Sequence, residues 1–157
     1  MRQPNIVFQP ALVSDAPALA ALEIELFHTD RCSRKSLRYL IRHAHVVVAR
    51  TSAPSVIVGY AIVLERKNSL KMRIYSFGIV REVQRQGVAG RMLEHIERLA
   101  VASGHRMLTL EVGDNNTAAV DFYKKHGFQQ YGFRLGYYED GGHAILMHKS
   151  LPKESTQ

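Results

Sequence analysis

Gln84-Arg85-Gln86-Gly87-Val88-Ala89-Gly90 lies between an apolar run with strand character, Leu70–Ile79, and a long amphipathic pattern, Val88–Ala102. A loop of small residues that opens a helix can aim several backbone N–H groups at one anion. The helix start adds partial positive charge at the same place. Gly87 lets a ligand come close to the backbone, and Ala89 keeps a second close position small. Arg85, with Arg81 and Arg91 nearby, can add full charges. Taken alone, the stretch reads first as a plain strand-to-helix turn with a glycine for geometry. Its surroundings decide the matter.

Downstream, Val88, Met92, Leu93, Ile96, Leu99 and Ala100 form one apolar stripe, and Arg91, Glu94 and Arg98 fall on the other side. Glu94 and Arg98 have the spacing of a surface pair. Gly104 ends this helix, and Met107–Val112 reads as the next strand. A helix joining two strands of one sheet is a crossover, so the strands at 70–79 and 107–112 should run parallel. Asn116 can cap a helix from Thr117 to His126, with Gly127 as its stop. Tyr131–Tyr138 and Ala144–Lys149 read as two final strands around Glu139-Asp140-Gly141-Gly142. On that reading Tyr137 and Tyr138 point to opposite faces of a strand, and one of them faces the cleft.

Upstream, Ile6–Pro10 reads as a first strand. Ser14 is a candidate cap for a helix carrying Leu19, Leu22 and Leu26 on one face. Ser33 is a candidate cap for a second, with Leu37, Leu40 and Ile41 inward. The β-branched runs Val46–Arg50 and Val56–Leu64 flank Ser52-Ala53-Pro54-Ser55 as a hairpin. The whole order predicts an α/β fold: a central mixed, mostly antiparallel sheet with helices on both faces.

The 157 residues suffice for one domain without disulfides or metals, and we place it at 1–151, with a loose polar tail at 152–157. The sequence contains no membrane-length apolar run and no signal-peptide segment. Its single cysteine, Cys32, allows no internal disulfide and no thiolate cluster, so a cytoplasmic location is expected. The eight histidines are dispersed, and no metal site is predicted. A formal charge of +7 favours a polyanionic partner: a phosphorylated cofactor, an RNA or ribosomal surface, or an acidic peptide. Because the basic residues are spread from Arg31 to Lys149, a dedicated nucleic-acid module is not expected.

The assembled pattern resembles the GNAT superfamily of N-acetyltransferases, and within it the RimI and N-terminal-acetyltransferase branch. The resemblance covers residues 4 to 150. It is carried by Phe77-Gly78-Ile79 with the Gln84–Gly90 loop, by Leu110-Glu111-Val112, and by Asn115-Asn116 with Ala118-Ala119. Phe122-Tyr123-Lys124-Lys125-His126-Gly127-Phe128 and Tyr137-Tyr138 leading to Ala144-Ile145-Leu146-Met147 complete it. What the resemblance implies is acetyl-CoA as cofactor, held between the splayed parallel strands. Gln84, Arg85, Gln86, Gly87, Val88, Ala89 and Gly90 would hold its pyrophosphate. The backbone of Phe77, Gly78 and Ile79 would pair with the pantetheine arm like another strand, and Asn116 would contact the cofactor by its side chain. A glycine inside a strand marks a bulge or a close backbone approach, which suits Gly78. One freed N–H in this segment would stabilise the oxyanion of acyl transfer.

An amine attacks a thioester only when neutral, and the departing thiolate benefits from an acid. By the resemblance Glu111 is the base, acting through water, and Tyr123 is the general acid, also placed at the cofactor. Without the motif, Glu111 would read as a solvated carboxylate at a strand end and Tyr123 as half-buried packing. Phe27, Tyr137 and Tyr138 correspond to residues that grip the first residues of an acceptor peptide. The expected acceptor is a peptide or protein N-terminus, a ribosomal protein among the candidates, with a small amine or a lysine as alternatives. A non-catalytic acyl-CoA sensor is the rival from another class, and the expected assembly is a monomer or homodimer. Departures fall on the acceptor side. Gly113 replaces a basic residue, and His143 replaces an acidic one. Phe27-His28-Thr29-Asp30-Arg31 lacks the Pro-Trp element of ribosomal-protein-alanine acetyltransferases. Thr29-Asp30-Arg31-Cys32-Ser33-Arg34 is more similar to RimI-like domains fused to bacterial cysteine peptidases, so the chain is read as a stand-alone relative or an excised domain.

Overall fold

The computed structural model describes residues 5–27 and 31–153. The elements run β1 Ile6–Pro10, α1 Ala16–Leu26, α2 Arg34–His43, β2 His45–Thr51, β3 Ile57–Glu65 and β4 Lys71–Ile79. They continue with α3 Val88–Ala102, β5 Met107–Gly113, α4 Thr117–Lys125, β6 Gln129–Arg134 and β7 Ala144–Ser150. The strands form one seven-stranded sheet in the order β1-β2-β3-β4-β5-β7-β6. Every neighbouring pair is antiparallel except β4 with β5, which the α3 crossover makes parallel.

Successive residues of a strand face opposite sides, so an uninterrupted buried run means that both faces are covered. β3 is such a strand: Val58, Tyr60, Ala61, Ile62 and Val63 are all buried. The apolar stripes predicted from helical periodicity supply the cover. Leu19 and Leu22 of α1, Leu37 of α2, and Val88, Met92, Leu93, Ile96 and Ala100 of α3 all enter one core.

The feature that matters for function is a split in the sheet. β4 and β5 pair only from Lys71↔Met107 to Ile74↔Leu110. Beyond that point β4 stays with β3 as far as Gly59↔Ile79, and β5 stays with β7 as far as Gly113↔Ala144. The divergence follows a bulge in β4. Ile62 faces Ser76 while Val63 faces Ile74, so Tyr75 is the extra residue. A bulge bends its strand and increases the local twist.

Three local expectations need correction. Ser14 does not cap α1. It sits inside a 3-10 turn at Val13–Asp15, and Asp15 precedes the helix with its carboxylate bonded to the Leu12 N–H (2.8 Å) and to Arg50 (2.9 Å). The strand predicted to reach Tyr138 stops at Arg134. Gly136 there takes a left-handed φ of 61° and donates its N–H to His143 Nδ1 at 2.8 Å, a turn geometry that breaks the ladder. The surface pair expected for Glu94 and Arg98 is absent among the described ion pairs. Glu97 instead pairs with Lys149 across to β7 at 2.5 Å.

Gly59 marks the tightest point of the β3–β4 seam. A Cβ there would meet Ile79 Cδ1 at 2.5 Å and the Gly78 carbonyl oxygen at 2.9 Å. Backbone cannot yield as a side-chain tip can, so Gly59→Ala is expected to destabilise the fold by ~1–3 kcal/mol. The midpoint of urea denaturation reads this directly, and an unmoved midpoint would mean that the seam relaxes freely.

Candidate active site

The diverging strands enclose a cleft of about 670 Å³. Phe77 from β4, Glu111 from β5, and Asn116 and Tyr123 from α4 line it. Phe27, at the end of α1, and both Tyr137 and Tyr138 line it as well. His28, Thr29 and Asp30 lie outside the described residues.

One arm of the cleft is backbone. Val80 donates its N–H to the Val58 carbonyl at 2.8 Å, so alternation turns Gly78 toward β3 and turns Phe77 and Ile79 toward the gap. The Ile79 carbonyl is already taken by Gln84 Nε2 at 3.0 Å. Gln84 thus braces the loop against the end of β4, and Gln86 reaches the Glu82 carbonyl at 3.4 Å. Gly78 sits at a close approach of side chains from the end of α1. A Cβ would lie 2.7 Å from Leu26 Cδ1 and 3.5 Å from Phe27 Cζ, and the bulge itself lies at Tyr75.

At the start of α3 the loop curls through two left-handed residues, Arg85 (φ 66°) and Gly87 (φ 78°). The first-turn N–H groups of Val88, Ala89 and Gly90 have no partner within the helix. Nothing lies within 4 Å of where a Gly87 Cβ would be, so the space before them is open. That arrangement fits a phosphate group. Val88 is 1% exposed and anchors the helix in the core, so it offers only its backbone. Gly90 makes room for the His126 ring, 3.1 Å from a built Cβ. Arg91 turns away from the loop: it donates to the Ile6 carbonyl at 3.3 Å and lies over the Phe8 ring. The Asn116 side-chain oxygen accepts the Ala119 N–H at 3.2 Å, capping α4, which leaves its amide nitrogen for a ligand.

The other arm carries the charged groups. Arg73 of β4, at the last paired rungs of the split, donates Nε to Glu111 Oε2 at 3.0 Å and Nη2 to the Tyr137 hydroxyl at 2.9 Å. Burial works against the Arg73 charge, but Glu111 beside it more than offsets this and holds the guanidinium above its ordinary value. Among the described residues only Oε2 of Glu111 is engaged, which leaves Oε1 as an acceptor. Sequence reasoning missed Arg73. Its signal was a lone arginine between Met72 and Ile74, inside a run that otherwise reads as core. It also missed the bonding of Glu23, 2% exposed, whose carboxylate accepts from the Tyr60 hydroxyl, from Ser76 Oγ (3.3 Å) and from the Cys32 N–H (3.0 Å).

Tyr123 is buried among Phe77, Phe122 and Phe128. Burial, assisted by Tyr138, pushes its phenol well above the ordinary tyrosine range, so it stays protonated and able to donate. The expectation that one of Tyr137 and Tyr138 faces the cleft is overturned. Both belong to the turn after β6, both line the cleft, and their rings meet edge to face at 5.0 Å. Burial and the neighbouring Glu23 raise the Cys32 thiol to about 11, which leaves it a poor nucleophile at neutral pH. At Gly113, one of the departures from the pattern the sequence resembles, a Cβ would lie 3.2 Å from Asn115 Oδ1. Among the described residues no group of three His, Cys, Asp or Glu is placed to hold a metal ion, and no helix is long and apolar enough to cross a membrane.

A split parallel pair, an open helix start and a polar arm carrying Arg73 and Glu111 thus meet at one cleft, and comparison with known proteins gives the class. Residues 16–128 match the model of the acetyltransferase (GNAT) family. The chain belongs to that family and is an N-acetyltransferase by class. It is 32% identical over 134 residues to the N-alpha-acetyltransferase RimI of Mycobacterium tuberculosis, a match covering 82% of each chain. Among solved structures, Ard1 from Thermoplasma volcanium superposes with a TM-score of 0.84 at 20% identity, covering 94% of this chain and 99% of that one. The ribosomal-protein-S18-alanine N-acetyltransferase of Escherichia coli gives 0.81 at 22% identity, with 97% of each chain covered. At these identities the structural likeness speaks for the fold.

Proposed function

We propose that this protein is a cytoplasmic enzyme that transfers acetyl from acetyl-CoA to the α-amine of a protein or peptide N-terminus, by direct attack without a covalent enzyme intermediate. The observation that carries the reading is the convergence of Glu111 from β5 and Tyr123 from α4 on one cleft, whose other wall is the unpaired edge of β4. The relationship to RimI supports an N-terminal acceptor. Acetyl-CoA supplies the activated thioester. The first-turn N–H groups after Gly87, with Arg85, hold its phosphates, and the cleft-facing backbone of Phe77 and Ile79 aligns its arm. Gln84 fixes the loop to that edge.

On the acceptor side Phe27, Tyr137 and Tyr138 surround the incoming terminus. Glu111, oriented by Arg73, takes the amine proton through a water at Oε1. Tyr123 then donates to the sulfur as the thiolate leaves, a role that requires the protonated phenol its burial preserves. A non-catalytic sensor needs neither group.

The reading is tested by following thiol release with a panel of N-terminal peptides beside small amines and lysine peptides. Turnover confined to small amines would replace the peptide acceptor, and no turnover with tight acetyl-CoA binding would leave a sensor. Tyr123→Phe is expected to lower kcat by ~10²-fold with acetyl-CoA affinity little changed. A fully active variant would return Tyr123 to packing alone.

A further inference from the structure

We propose that the outer face of α2 is a docking surface for single-stranded RNA. From Arg31 to Arg50 the chain contains no acidic residue. Within this stretch α2 exposes Arg34, Lys35, Arg38 and Arg42, while Leu37 is buried and Leu40 and Ile41 pack inward. Arg34, Arg38 and Arg42 follow one another at four-residue steps, about 6 Å apart along the axis. That makes a row suited to successive phosphates of one strand. None of the four takes part in an ion pair among the described residues.

Two further observations separate this face from an ordinary solvated one. The first turn of α2 holds Arg34 and Lys35 and no acid, although cations are disfavoured at a helix N-terminus. Among the described residues no ion pair offsets that cost, whereas a bound polyanion would. Beside the arginine row Tyr39 is 62% exposed, with its ring 4.5 Å from the His43 ring. An exposed aromatic pair flanking a line of cations is the arrangement on which unstacked bases rest, and single-stranded RNA is the nucleic acid that most often presents them. An acidic protein would use the cations and leave the rings without a partner.

The face also has a place relative to the cleft. Cys32, just before α2, is tied by its N–H to Glu23 in the cleft wall, and Phe27 at the mouth ends the preceding helix. RNA lying on α2 would therefore reach the acceptor mouth, and an N-terminus carried by a ribonucleoprotein particle would be delivered there.

The test is fluorescence anisotropy of a labelled, mixed-sequence single-stranded RNA with the intact protein over a range of salt concentrations. Three proteins are compared: wild type, Arg34→Gln/Arg38→Gln/Arg42→Gln, and a control of equal charge, Arg66→Gln/Lys67→Gln/Lys71→Gln, altered off α2 at and beside the turn between β3 and β4. The α2 variant is expected to lower the slope of log K against log salt by about 2, at ~0.7 per lost phosphate contact, and the control to leave it nearly unchanged. Tyr39→Ala should weaken binding several-fold without changing the slope. Equal losses in both triple variants, no saturable RNA binding by wild type, tighter binding of single-stranded DNA, or equal competition by poly-glutamate would each overturn the proposal. All variants should keep wild-type turnover on a short peptide, so failure here is distinguishable from failure of the acetyltransferase reading.

Discussion

Gly87→Glu is expected to abolish acetyl-CoA binding while leaving the protein folded. The substitution puts a carboxylate at the mouth of the helix start where the phosphates of the cofactor would sit. It also forces a non-glycine residue into a left-handed backbone at φ 78°. Because nothing lies within 4 Å of the new Cβ, the cost to the fold is limited to that backbone strain, ~1–2 kcal/mol. Gly87→Ala shares the strain without the charge and should bind with only moderately reduced affinity. Isothermal titration calorimetry distinguishes the two, and thermal shift follows by mass action. Undiminished affinity in Gly87→Glu would remove the loop from the cofactor site.

The second large effect is expected at Glu111. Glu111→Gln keeps the shape, and the amide oxygen can still accept from Arg73, so the acceptor arm stays assembled. What is lost is the proton acceptor, and kcat at neutral pH should fall by ~10²–10⁴-fold. The loss should shrink as pH rises past about 8, the ordinary pKa of an α-amine, because the nucleophile is then already neutral. Tyr123 does not spoil that recovery: its raised pKa keeps the phenol protonated beyond the ordinary tyrosine range. A pH–rate profile of both proteins on one accepted peptide, with acetyl-CoA affinity measured alongside, is the decisive measurement. Superimposable profiles would exclude Glu111 as the base. A loss equal at every pH, with weakened cofactor binding, would mean structural damage instead.

Periodicity and end signals made most of the architecture readable. The stripe from Val88 to Ala100 gave α3 its bounds, since an amphipathic pattern between Gly87 and Gly104 leaves little freedom. Ser33 and Asn116 cap their helices as their chemistry requires, each side chain accepting an N–H three residues on. The crossover rule supplied the one parallel pair. What escaped the sequence depends on long-range contact. The end of β6 is set by Gly136 meeting His143 seven residues away, and alternation alone carried the strand too far, through Tyr138. Ser14 has the right chemistry for a cap, but it lies inside the 3-10 turn, and Asp15 precedes α1 with its carboxylate turned to the Leu12 N–H and to Arg50, thirty-five residues on, so neither side chain caps the helix. At the cleft, Glu111, Asn116 and Tyr123 carry a local motif and line one cavity, whereas Arg73, which lines it too, has no motif. Its importance arises only when β5 and the turn after β6 bring Glu111 and Tyr137 to it.

The split between β4 and β5 also separates what can vary from what must not. In the proposed reading the cofactor side is made of strand edge, helix start and a braced loop, continuous with the core through residues such as Val88 and Ile79. The acceptor would meet the end of α1 and the turn holding Tyr137 and Tyr138. Substitutions in the first set would disturb folding and cofactor capture together. Substitutions in the second would chiefly alter which amine is admitted. A lineage built on this frame can therefore change its clientele by rewriting two short connections, inheriting the chemistry intact.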